Sequence, residues 1–159
     1  MLTYDEISNS YEKFASQDEK EINSLLKQFQ KKQMPLMVYL SAVSQREEWN
    51  DDEQEIFFGA ALFLWVVLSK PSAQVSMERI EKADNDLFGE LESHVGKEHR
   101  NLEERVEQML DQSRQPNLLG FLVELLIEED PEVQLRPDSQ GIMLFTLRNM
   151  MDLLTEPAA

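Results

Sequence analysis

Cysteine is absent from this 159-residue chain. That single gap excludes a disulfide framework, a thiolate zinc site and a cysteine nucleophile. Glycine and proline are scarce, at five and six residues, too few for the recurring tight turns of an all-β protein. Histidine occurs only as His94 and His99. Five positions apart on a helix, they point about 140° away from each other and share no face. Neither completes a Glu-x-x-His pair, because positions 91 and 96 are Leu and Gly, so no metal site is expected. The longest apolar run, Ile56 to Leu68, covers about 20 Å as a helix, short of a bilayer core. No membrane span is expected. Gly-rich phosphate loops and a Gly-x-Ser-x-Gly elbow are also missing. The expectation is therefore no catalytic residue, no cofactor and no metal, with the balance against an enzyme.

What the chain does have is acid. Thirty-one Asp and Glu face fifteen Lys and Arg, for a formal net charge of −16. Such a field repels phosphates and anionic membranes and attracts basic partners, and it also keeps a protein soluble. Lys27, Lys31 and Lys32 do cluster, but at an expected helix C-terminus, so direct nucleic-acid binding is not expected. The N-terminal residues, Met1 to Glu6, carry neither the basic start nor the apolar run of a secretory signal. Together with the absent cysteine this makes a cytoplasmic location the expectation.

Hydrophobic residues make up 42% of the sequence, enough for a globular core. They recur at helical spacing. Thr3 and Glu6 form a capping box ahead of Ile7, Tyr11 and Phe14. Ser16 or Asp18 opens a second helix with Ile22, Leu25, Leu26 and Phe29, acidic at its start and basic at its end as the macrodipole prefers. Pro35 starts a third, and Asp51 or Asp52 caps a fourth that runs from Glu53 to about Ser69. That fourth helix is apolar nearly all round and should be enclosed by others. Ser76 caps a fifth helix, Gly96 ends or kinks it, and a more polar helix continues from about Lys97.

The pattern then returns. Leu36, Tyr39 and Leu40 match Leu118, Phe121 and Leu122, and Gln33 matches Gln115. Further on, Asp52, Gln54 and Ile56 match Asp138, Gln140 and Ile142, with the offset grown from 82 to 86 residues. The extra length falls in an acidic, proline-bounded loop, Glu128 to Pro137. Chance likeness between amphipathic helix pairs is one explanation. Duplication, which preserves order and polar positions, is the favoured one. The expected fold is one all-α domain over residues 1–159, a compact bundle of seven or eight helices. It should have two similar halves related by an approximate two-fold axis, with repeats at 19–69 and 100–155.

No residue pattern specifies a function. The leading expectation is a non-enzymatic interaction protein, alone or as a homodimer, taking a basic or amphipathic protein partner. One alternative is an acidic mimic of DNA that occupies a nucleic-acid-binding protein. Another is an enzyme or carrier with a small-molecule pocket between the halves, where Tyr39, Gln54 and Gln140 converge. Trp49, an aromatic in a polar turn, is either a lid on the core or a binding anchor. Eight methionines, among them Met34, Met37, Met143, Met150 and Met151, suit a core more often than an adaptable binding surface.

Overall fold

Capping chemistry sets where the helices begin. Thr3 Oγ1 accepts from Glu6 N–H while Glu6 bonds back to the Thr3 amide, opening α1 (Tyr4–Ala15). Asp18, rather than Ser16, caps α2 (Glu19–Lys32). Gln33 alone separates it from α3 (Met34–Arg46), which starts one residue before Pro35. The cap of α4 (Asp51–Val67) is Asn50, not Asp51 or Asp52. Asn50 stands three residues before Glu53, and the two exchange side-chain-to-backbone bonds of 2.8 and 3.0 Å. Asn50 is the residue with the extended N-cap backbone, φ −72° and ψ 174°, and Asp51 and Asp52 already lie inside the first turn. Ser76 Oγ accepts from Arg79 N–H at the start of α5 (Met77–Glu92). Then follow α6 (Arg100–Gln112), α7 (Pro116–Ile127) and α8 (Pro137–Thr155).

The computed structural model describes residues 1–92, 100–127 and 137–155, and among these are eight helices and no strand. His94, Gly96, His99 and the loop from Glu128 to Arg136 lie outside the described residues. No described helix is long and apolar enough to cross a membrane.

The two most apolar long helices meet. α4 packs against α8, and also against α1 and α2. α8 packs in addition against α5 and α7. The outer pairs are α1 with α7, α5 with α3, α2 with α3 and α6 with α7. From α4 the core takes Phe57, Ala61, Leu62, Phe63, Leu64 and Trp65; from α8 it takes Met143, Leu144, Phe145, Leu147, Met150 and Met151. Ile56, Phe58 and Val66 are only half-buried, so α4 is enclosed on most of its circumference and not all of it. Burying a large apolar side chain contributes roughly 1.5–3 kcal/mol, so this pair of helices carries a large share of the stability.

One buried polar side chain ties the first half together. Gln33 is fully buried. Its Nε2 donates to the carbonyls of Pro71 (3.1 Å) and Ala73 (2.9 Å), and its Oε1 accepts from Val75 N–H (3.0 Å). Pro71 O also accepts from the Trp65 indole at 3.1 Å. The segment after α4, which turns through left-handed Ser69 and Lys70, is thereby fastened to the start of α3. Gln115 does the same work elsewhere: its Oε1 accepts from Leu2 N–H (3.0 Å), and Asn117 Nδ2 donates to Leu2 O (3.1 Å). Each clamped amide belongs to the residue just before a helix cap, Val75 before Ser76 and Leu2 before Thr3.

Replacing Gln33 by Leu removes all three bonds and leaves the Val75 amide buried without its partner. The expected cost is about 3 kcal/mol, read by urea unfolding, with a smaller loss for Gln115→Leu because Leu2 is partly exposed.

Candidate functional site

Of the side chains singled out from the sequence, Gln54 meets Trp49, while Tyr39 and Gln140 bond elsewhere. Trp49 is 4% exposed and sets its ring against Phe57, centroids 4.6 Å apart at 63°. Of the two roles open to an aromatic in a polar turn, this is the lid; its indole nitrogen is buried without a hydrogen-bond partner. Gln54 Nε2 donates to Trp49 O (2.9 Å), closing the turn between α3 and α4. Gln140 Nε2 donates to Leu126 O (2.8 Å), joining α8 to the end of α7. Tyr39 faces α5.

Around Tyr39 lies a polar junction of three helices. Its hydroxyl donates to Asp84 Oδ1 at 2.8 Å. Asp84 Oδ2 is 3.6 Å from the Arg46 guanidinium, which also approaches Glu47. From α8, Asn149 hydrogen-bonds the same tyrosine and donates to Ala83 O at 3.2 Å. Arg148 reaches the Asn149 side-chain oxygen at 3.3 Å. Burial raises the Tyr39 pKa well above its ordinary 10.0; the hydrogen bond to Asp84 and that carboxylate's charge raise it further, against Arg46 and Asn149. At neutral pH Tyr39 is therefore a hydrogen-bond donor and not a proton acceptor, and the junction's chemistry is that of a latch.

The opposite junction, where α1, α4 and α7 meet, is aromatic. Tyr11, Phe63 and Phe121 stand with ring centroids 5.1 to 5.7 Å apart. Tyr4 joins from the edge, 6.5 Å from Phe121, with its hydroxyl 3.4 Å from Glu124. The neighbouring Glu124 charge, more than burial, raises the Tyr4 pKa.

The surface carries a feature that the sequence reading passed over. Met34 is 62% exposed and Val38 54%, and Ala42 is exposed one turn further on. At spacings of four they form one apolar row along α3. Met77, 40% exposed, lies seven residues before Asp84 and so on the flank of α5 that faces α3. No acidic residue occurs between Glu21 and Glu47 or between Glu55 and Glu78, whereas Lys27, Lys31, Lys32, Arg46 and Lys70 do. The fold brings these stretches together. Lys32 Nζ sits 5.8 Å over the Trp65 ring, and Lys70 N–H donates to Trp65 O. The same indole bonds Pro71, which Gln33 holds. The exposed apolar row thus lies beside two acid-free, lysine-bearing stretches of a protein whose net charge is −16, with Glu78 and Glu81 on the α5 side. The gaps between acids were visible in the sequence; the total charge hid them. Among the described residues no group of side chains is arranged to hold a metal ion.

Tyr39→Phe should cost about 2 kcal/mol near neutral pH, since it removes a hydrogen bond to a charged group. The sign of the pH dependence follows from the raised pKa. The Tyr39 contribution is fully present below 10.0, and it falls as pH rises above that value because the unfolded chain ionises first. Urea unfolding from pH 8 upward should show the gap between wild type and variant narrowing on the alkaline side.

Compared with known protein families, curated proteins and solved structures, the chain matches none of them.

Proposed function

We propose that this chain is a non-enzymatic interaction protein that docks another protein on the outer face of α3. The observation that carries the reading is the row Met34, Val38 and Ala42, which is exposed, apolar and free of acid in a chain otherwise dense with it. Large apolar side chains exposed in a row, rimmed by polar groups, mark interaction surfaces. The sequence suggested a basic or amphipathic partner; this face favours the amphipathic one.

The chain also reads as two copies of a four-helix unit, α1–α4 and α5–α8, longer than the repeats at 19–69 and 100–155. Several pairings support this. α1 lies on α7 as α5 lies on α3, α1 on α4 as α5 on α8, and α2 on α3 as α6 on α7. The Gln33 clamp on Val75 parallels the Gln115 clamp on Leu2. A departure is that α7 packs on α8 more closely than α3 does on α4.

Under this correspondence the docking row has a counterpart with a different fate. Met34, Val38 and Ala42 align with Pro116, Gly120 and Glu124 at the offset of 82. Gly120 lies against Leu110 of α6, 3.8 Å from where a Cβ would stand, and Glu124 takes the Tyr4 hydroxyl. That copy covers its row in part, with Glu124 still exposed. The other leaves it open.

A photo-crosslinking residue at position 38 tests the proposal in an extract of the source cells, against the same residue at exposed Glu12 on α1. A discrete protein adduct is expected from position 38 alone, falling at least tenfold when Met34→Asp is added. Met34 is exposed, so this change should alter stability by under about 0.5 kcal/mol. Equal labelling from both positions, or none, rejects the reading.

A further inference from the structure

We infer that the occupant of the α3 face is an acidic amphipathic helix, one with an apolar stripe and carboxylates along its flanks. The inference rests on the docking face proposed above and adds the partner's charge.

Charge complementarity carries it. A helix laid on α3 would place apolar side chains on Met34 and Val38, and on Met77 at the α5 side. Its flanks would then lie over Lys31 and Lys32 at the end of α2 and over Lys70 at the start of the clamped segment. All of these lysines are exposed, as is Lys27 one turn earlier on α2. None forms an ion pair with a described residue. Arg46 is different, since Asp84 and Glu47 already hold it. A basic amphipathic helix would meet more like than opposite charge here, since Glu78 and Glu81 on α5 alternate with Arg79 and Lys82 while the end of α2 carries only lysine, and like charges brought together at an interface are costly. The total of −16 does not reverse this. At physiological ionic strength a charge is felt over about 8 Å, so contact energetics follow the local lysines and not the distant carboxylates. Those carboxylates act on the approach instead. They leave this face as the region where an acidic segment meets least repulsion, which fixes the site as well as the partner.

A helix, in place of an extended strand or a flat surface, fits the shape of the apolar row. The row runs along α3 with one side chain per turn, and α3 packs against both α2 and α5. Helix recognition reads such rows through anchors at i, i+3, i+4 and i+7.

The test uses the full chain and two fluorescent 18-residue peptides with the same leucine stripe, one with Glu and one with Lys at every remaining position. Anisotropy is read at about 0.15 M salt, where long-range fields are screened. The Glu peptide should bind at least tenfold more tightly than the Lys peptide. Lys27→Gln, Lys31→Gln, Lys32→Gln and Lys70→Gln combined should erase that preference. Met34→Asp with Val38→Asp should abolish binding of the Glu peptide, with circular dichroism confirming that both variants remain folded. Equal or tighter binding of the Lys peptide, lost on Met34→Asp, overturns the partner's charge and leaves the docking face standing. Failure of both peptides overturns the inference, and the position-38 adduct then decides the docking face separately. Tighter binding of phosphatidylglycerol vesicles or of a DNA duplex than of the Glu peptide also overturns it.

Discussion

The packing of α4 on α8 is the contact from which the other positions follow. Both helices present wide apolar surfaces, so each must be covered from several directions. α1 and α2 cover α4; α5 and α7 cover α8. Of the remaining pairings, α1 with α7 and α5 with α3 cross between the first four helices and the last four, while α2 with α3 and α6 with α7 do not. As a result neither group of four helices closes its own core. A cavity opened in α4, at Phe63 for example, would be felt through Tyr11 on α1 and Phe121 on α7 together.

Much of this was legible in the residues because it is local. The capping box of Thr3 and Glu6 depends on a spacing of three, and so does the one at Asn50 and Glu53. Spacing alone does not choose the cap there: Asp52, expected with Asp51 as the cap, has Glu55 three residues on just as Asn50 has Glu53. Enclosure of α4 was legible from its all-round apolarity. The junction at Tyr39 was not legible, since Asp84 is 45 residues away and Asn149 lies on a different helix. Nothing in the periodicity of α5 marks Asp84 as different from the acids beside it. Gln33 was noted only as a match to Gln115, and sequence does not reveal that both clamp backbone amides.

The two junctions show how three helices can be held together by different forces. Tyr11, Phe63 and Phe121 hold three helices by ring packing, which tolerates small shifts. Tyr39, Asp84 and Asn149 hold three others by directed hydrogen bonds, which do not. The hydrogen-bonded junction lies beside the proposed docking face. Burial of a polar set costs stability unless every member is bonded. Its placement under α3 is consistent with a need to hold that helix in one orientation.

The clamp on the segment after α4 has a further consequence. From Pro71 to Val75 the backbone is gripped at both ends and in the middle by one glutamine, so this connection behaves as a ruler of fixed length. Inserting a residue there would oblige Gln33 to release one end. Loops usually accept changes in length more readily than helices do; here the exposed stretch from Ser72 to Gln74 should be among the least forgiving places in the chain for an added or deleted residue.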